Sequence, residues 1–280
     1  MKIRINGADA DIQPEAEKTV GEILSALGAW LEGTGHRLSG LAIDGSAVGA
    51  GAVDECFGME IDAVGTLDIY TSSVAELFAE CLSGAAQALS DYEAAGFEEK
   101  GAVAARWMES PSARMLAEQS PDLFAWAEKA FAGEGSGPRA LRSVIEERLR
   151  ELGDPAGELE RAGALVAQVC ARLEELPLDI QTGKDARAAE TAGLFSGVAE
   201  KVFRIYGALQ SGGFPVGEIR AGDMPVADYI AEFHGTLRDL LNAYEQQDTV
   251  LVGDIAEYET APRLRGFYDA VLGAVRGLRQ

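Results

Sequence analysis

Three short strings in this 280-residue sequence contain residue types that could do chemistry. Gln181-Thr182-Gly183-Lys184-Asp185 contains the Gly-Lys pair of a phosphate-binding loop, where backbone N–H groups and a lysine ammonium cradle phosphate oxygens. Such a loop needs a glycine five residues before Gly183 and a hydroxyl after the lysine, and Leu178 and Asp185 stand there instead. The string reads as a polar connection with Asp185 at a helix start, and Gln181, Lys184 and Asp185 are contact candidates. Gly133, Gly135 and Gly137 approximate a dinucleotide fingerprint, but Pro138 occupies the last required glycine and a helix precedes the string where a strand should. Asp254 and Glu257 are three residues apart, on one helical face, and two such carboxylates can ligate a divalent cation. Helical metal-dependent pyrophosphohydrolases use paired carboxylate motifs from two helices, and one Asp-x-x-Glu is half of that. Acidic residues in a first helical turn also complement the helix dipole. Tyr258, one turn after Asp254, is placed to hydrogen-bond it as a buried polar pin.

No catalytic or metal-binding set emerges from the other reactive residues, and no cofactor is expected. His36 falls in a loop after the first helix. His234 lies beside Phe233 on a helical seam, and the position three before it is Ala231, so the Glu-x-x-His pair of a di-iron bundle is missing. Cys56, Cys81 and Cys170 are odd in number and widely spaced, as buried free thiols of a reducing compartment would be.

Charge narrows the field of partners. With 46 acidic and 24 basic side chains the formal net charge is −22, which repels phosphate backbones and anionic membrane surfaces. Nucleic acid and membrane are therefore not expected as partners, and a basic protein is the natural complement. The first residues lack the apolar stretch of a signal peptide, no segment is long and apolar enough to span a bilayer, and the expected location is cytoplasmic.

The elements that must position these strings follow from periodicity. Lys2 to Asn6 alternates as a half-buried strand. Asp11-Ile12-Gln13 can pair back as a second, and Pro14 ends it. A helix starting near Thr19 presents Val20, Ile23, Leu24, Leu27 and Leu31. Leu41–Ile43 and Thr66–Tyr70 are two further strands. From Ser73 onward only helical spacing remains. Val74 to Tyr92 forms one stripe, shorter helices fill the middle, and Leu141 to Leu152 makes another. Four longer stripes then run over Leu159–Leu176, Phe195–Leu209, Val226–Tyr244 and Leu251–Leu278, with Pro262 kinking the last. Spacing of alternating 3 and 4 residues predicts a helical bundle packed at shallow angles. The predicted class is thus a small α+β module over 1–72 followed by an all-α bundle over 73–280, mainly α overall. The module is the more densely acidic part, with 12 acidic and 4 basic residues.

The strand, strand, helix, strand, strand order of residues 2–70 resembles the β-grasp, or ubiquitin-like, fold, with Ile3, Ile5, Ile23, Leu27, Ile43, Leu67 and Ile69 as its core. The resemblance implies a docking module. The Gly-Gly tail of sulfur carriers and modifiers is replaced by Tyr70-Thr71-Ser72-Ser73, and the cysteine cluster of iron–sulfur relatives is reduced to Cys56.

Glycine is the remaining oddity, at 33 residues, many of them inside helical stripes. Each costs up to about 1 kcal/mol relative to alanine in a helix interior. The rows Ala189/Gly193/Gly197 and Gly266/Ala270/Gly273/Gly277 suggest close helix contacts, and the second row offers a homodimer surface on the C-terminal helix. These readings predict a non-enzymatic scaffold or adaptor. A metal-dependent hydrolase using Asp254 and Glu257, or a bundle holding a small apolar ligand, would be the alternatives.

Overall fold

A computed structural model of the chain describes residues 1–12, 14, 16–49 and 52–278. They form two compact units, Met1–Glu146 and Glu147–Gln280.

The first unit opens with a five-stranded mixed sheet. β1 (Lys2–Ile5) turns through Asn6-Gly7 into β2 (Ala8–Asp9), and α1 (Val20–Glu32) crosses to β3 (His36–Ile43). β4 (Ser46–Ala47) pairs back on β3, and β5 (Thr66–Ser73) lies between β1 and β3, giving the order β2-β1-β5-β3-β4. β5 runs parallel to β1 and antiparallel to β3. Alternation along β1 and β5 sends Ile3, Leu67 and Ile69 to one face, where Val20, Ile23, Leu24, Leu27 and Leu31 of α1 cover them. Thr19 starts α1 with a reciprocal capping box to Glu22. On the opposite sheet face the buried Asp68 carboxylate accepts from Arg4 Nη2 at 2.7 Å, its neighbour across the parallel ladder.

Three sequence expectations change here. The second strand is Ala8–Asp9, because the tight turn at Asn6-Gly7 makes β1 pair with the residues that follow at once. Asp11 and Ile12 lie outside it, and Gln13 lies outside the described residues. His36 belongs to β3, since β5 continues to Ser73 and pairs with it. Cys56, on the one-turn helix α2 (Val53–Phe57), is only half-buried, whereas Cys81 and Cys170 are buried free thiols whose pKa values burial raises.

Strand passes directly into helix at Ser73, which caps α3 (Val74–Ala94) in a second capping box with Glu76. α4 (Phe97–Met108), α5 (Pro111–Gln119) and α6 (Pro121–Phe131) follow. Tyr92, Trp107, Phe124 and Phe131 interlock by edge and tilted ring contacts, and the Tyr92 hydroxyl donates to the Phe131 carbonyl at 2.8 Å.

The second unit is helical. α7 (Gly137–Gly153) leads into it, followed by α8 (Pro155–Glu174), the one-and-a-half-turn α9 (Leu176–Gln181), α10 (Asp185–Ser211) and α11 (Val226–Glu245). The break before α11 holds a small hairpin, β6 (Arg220–Ala221) with β7 (Met224–Pro225), which hydropathy cannot reveal because two residues give no period. The last stripe is interrupted: α12 (Thr249–Ile255) passes through a π turn at Ala256–Thr260 into α13 (Ala261–Leu278). Pro262 cannot donate to Tyr258, one turn back, and the ladder widens there, with Ala261 N–H bonding Ala256 O.

Ions and tyrosines lock these helices. Lys201 of α10 is buried, and its ammonium lies 2.5, 3.1 and 3.3 Å from Glu147, Glu151 and Glu158 of α7 and α8. Arg204 Nε adds a 3.0 Å bond to Glu151, and Arg161 Nη1 a 2.7 Å bond to Glu158. Burial alone would raise both carboxyls, and it does raise Glu151. At Glu158 the bonds from Arg161 and Lys201 outweigh it and lower the pKa. Burial likewise opposes the Lys201 charge, but the bonds from Glu147 and Glu151 win and raise it. Elsewhere a tyrosine lies against a glycine of the facing helix and bonds a carbonyl one turn earlier. Tyr268 faces Gly163 and donates to Leu159 O, while Tyr229 faces Gly266 and donates to Arg263 O. Among the described residues, by contrast, a Cβ at Gly193, Gly197, Gly273 or Gly277 would meet nothing within 4 Å.

Two outcomes follow. Lys201→Met removes the cation shared by Glu147, Glu151 and Glu158, so urea melts at neutral pH should show a loss of about 3–5 kcal/mol. Lys201 lowers the carboxyl pKa values of Glu151 and Glu158, so the deficit should narrow as pH falls through the carboxylate range, and a pH-independent deficit would refute the assignment. A methyl group added at Gly253 would lie only 3.1 Å from Pro177 Cβ. Gly253→Ala should therefore lower the melting temperature, and Gly273→Ala should raise stability by about 0.5–1 kcal/mol.

Candidate functional site

Two places could meet another molecule, and each must be built from its own unit. In the first unit, α1 does not close over the whole sheet. The pairing of β2 with β1 closes as Ala10 N–H donates to Ile3 O, and beyond it Ile12, Pro14 and Glu17 line a hollow with α1. An apolar cleft of about 440 Å³ remains between them. Ile3, Ile5 and Ile69 form its floor, Ile23, Ala26, Leu27 and Trp30 its helical wall, and Ile12, Pro14 and Glu17 the other side. Trp30 stands three, four and seven residues after Leu27, Ala26 and Ile23, so it belongs to the same helical stripe. Yet it is 62% exposed, and Ile12 beside it is 41% exposed. Among the described residues its lining is apolar apart from Glu17, which suits an apolar group of modest size. Sequence reading missed Trp30, although its i+3 and i+7 spacing to Leu27 and Ile23 was a usable signal.

In the second unit lie the residues singled out by motif. Gln181 ends α9, Asp185 begins α10 as expected, and both are exposed. Lys184 does not face an empty anion cradle. Its backbone N–H donates to Asp179 O at 2.8 Å and its ammonium lies 3.4 Å from Asp179 Oδ1. The Asp179 carboxylate is 1% exposed, and Arg187 Nε pairs with Oδ2 at 3.0 Å, an ion pair without a linear hydrogen bond. Gly183 takes a φ of 70°, in the left-handed region open to glycine, and closes the turn. The Gly-Lys pair is thus a helix-to-helix corner folded over a buried aspartate.

Asp254 sits on α12 and Glu257 and Tyr258 in the π turn. The expected pin is absent: Tyr258 is 67% exposed, and its phenol pKa is raised by a hydrogen bond with Glu257, with Asp254 a lesser influence. The wide turn places Ala256 and Thr260 in the core and leaves Tyr258 outside. Asp254 is exposed and Glu257 half-buried, and among the described residues no three His, Cys, Asp or Glu side chains are grouped to hold a metal ion. α9 and α12 pack together through Pro177 and Gly253, so the two motif regions stand on neighbouring elements. His234 is exposed, with its ring 6.0 Å from that of Phe203.

If the corner serves structure, Asp179→Ala should cost about 1–3 kcal/mol in chemical denaturation. Lys184→Ala, half-exposed at its tip, should cost less than about 1 kcal/mol. No loss from Asp179→Ala would mean that the corner does not depend on the buried carboxylate.

Comparison with known proteins divides the chain in a similar sense. Residues 1–73, which contain the cleft, match the family model described as the TP0873 N-terminal domain. Residues 158–270, which contain the second group, match a domain of unknown function, DUF8042. A relative from Treponema pallidum (strain Nichols), described as an uncharacterized protein, is 24% identical over 279 residues and aligns over 100% of both chains. No solved structure matches the chain.

Proposed function

We propose that this chain is a non-enzymatic adaptor whose N-terminal module receives an apolar side chain of a partner protein in the α1–sheet cleft. The observation that supports this most is the exposed Trp30 at the rim of an apolar hollow, since large aromatics left open beside a pocket are favoured anchors of interfaces. The sheet order β2-β1-β5-β3-β4 with one helix across it supports reading the module as β-grasp-like, a fold often used for docking. The acidic excess of residues 1–72 would favour a partner that is basic around its anchor.

A second reading has support from the same cleft. Its volume lies within the range of small-molecule sites, and its lining suits an apolar ligand, placed in the module rather than between bundle helices.

The two readings separate in one experiment on the full chain. Affinity capture with the native protein and with Trp30→Ser should yield one partner that the variant loses while its melting temperature is unchanged. Native mass spectrometry of the same preparations tests the second reading through a bound small molecule. Equal capture by both proteins would remove the cleft from the docking role.

A further inference from the structure

Two apolar stripes of the helical unit run past the core that they build. On α11, Val226 and Phe233 are fully covered, Leu237 and Leu240 are half-buried, and Tyr244, one turn on and on the same face, is 72% exposed. On the next stripe Ile255 and Leu264 are buried, while Leu251 and Tyr258 lie open. Leu241 and Val250 are exposed beside them, and Leu178 is exposed on α9. These elements are contiguous, because α11 packs on α12 and α12 on α9. Periodicity assigns Tyr244, Leu251 and Tyr258 to the core; instead α11 carries Tyr244 past its cover, Leu251 opens near the start of α12, and the π turn leaves Tyr258 outside. Monomeric proteins seldom leave such a group of large apolar side chains without use.

Along the segment between Arg238 and Arg263 the charge has one sign, and Arg263 is itself paired with Glu232. Residues 239–262 hold six acidic side chains, Asp239, Glu245, Asp248, Asp254, Glu257 and Glu259, and neither Lys nor Arg. A second copy of this chain, at net charge −22, would meet its own field there, and anionic lipid and nucleic acid have the same wrong sign. A partner must bring apolar area and positive charge together.

We infer that the α11–α12–π-turn face docks a cationic amphipathic segment of a partner protein, in which Lys or Arg flanks large apolar side chains. The apolar residues supply contact area, and the surrounding carboxylates speed encounter and fix orientation. This surface lies in the second unit and does not depend on the cleft reading.

The test uses the full chain and a fluorescein-labelled synthetic helix of Leu and Lys in amphipathic order, about five turns long. Two controls are a scrambled peptide of equal composition and a version with Glu for Lys. Fluorescence anisotropy should show saturable binding of the amphipathic peptide that weakens from about 50 to about 500 mM salt. The scrambled and acidic peptides should bind at least about tenfold more weakly. The variant Tyr244→Ser/Leu251→Ser/Tyr258→Ser should raise Kd at least about tenfold without lowering the melting temperature, since the three side chains are exposed. Glu245→Lys/Asp254→Lys should do the same, whereas Glu98→Lys/Glu99→Lys on α4 should leave Kd within about twofold. Equal binding of the scrambled peptide, unchanged binding by the triple variant, or no binding by the native chain would overturn the inference. Failure of this face shows in the triple variant and failure of the cleft in Trp30→Ser, so the two give different results.

Discussion

The helical unit turns on one buried ammonium. Lys201 brings Glu147 and Glu151 of α7 and Glu158 of α8 to a single point on α10, in a chain whose acidic side chains outnumber its basic ones 46 to 24. Removing such groups from water costs more than a simple pair repays, so the cluster is weak as a source of net stability and strong as a constraint. A slide of α10 by one turn would break all three bonds of Lys201 and the bond of Arg204 to Glu151. Arg204 and Arg161 complete the set, and the opposite shifts of Glu151 and Glu158 show how finely the balance of burial and bonding differs over a few ångströms. Apolar packing alone would tolerate many helix registers. The charge cluster selects one.

Much of the architecture was legible because periodicity and capping leave local marks. Ile3, Leu67 and Ile69 alternate, Val20 to Leu31 repeat at helical spacing, and Thr19 and Ser73 carry their capping glutamates three residues on. Long-range facts left no such mark. The identity of Lys201 does not say that its ammonium is buried, and nothing in the stripe of α11 says that Tyr244 outruns its cover. The β6–β7 hairpin is too short for any pattern to announce. The cleft was hidden for a related reason, as it arises from where β2 stops.

Motif reading failed in an instructive way. Gly183 and Lys184 look like ligand-binding residues because glycine frees backbone and lysine attracts anions. Both properties also serve a tight corner above a buried carboxylate, which is their use beside Asp179. The helical glycines divide similarly. Gly163 and Gly266 admit a tyrosine whose hydroxyl reaches the facing backbone, and Gly253 admits Pro177, whereas Gly273 and Gly277 face open space among the described residues. Identical letters at identical spacing therefore answer to different neighbours.

The π turn joins two segments that are each pinned independently. α12 is seated by Gly253 on Pro177, and α13 by Tyr268 on Leu159. An uninterrupted α-helix would fix their relative rotation at about 100° per residue, with no freedom to satisfy both. The widened turn acts as a phase corrector between them. Its length is therefore constrained in a way that the glycine-rich connection between α6 and α7 is not. Loss of one residue from Ala256–Thr260 would force a choice between the two seats, whereas a residue gained or lost in residues 133–137 would be absorbed by the connection.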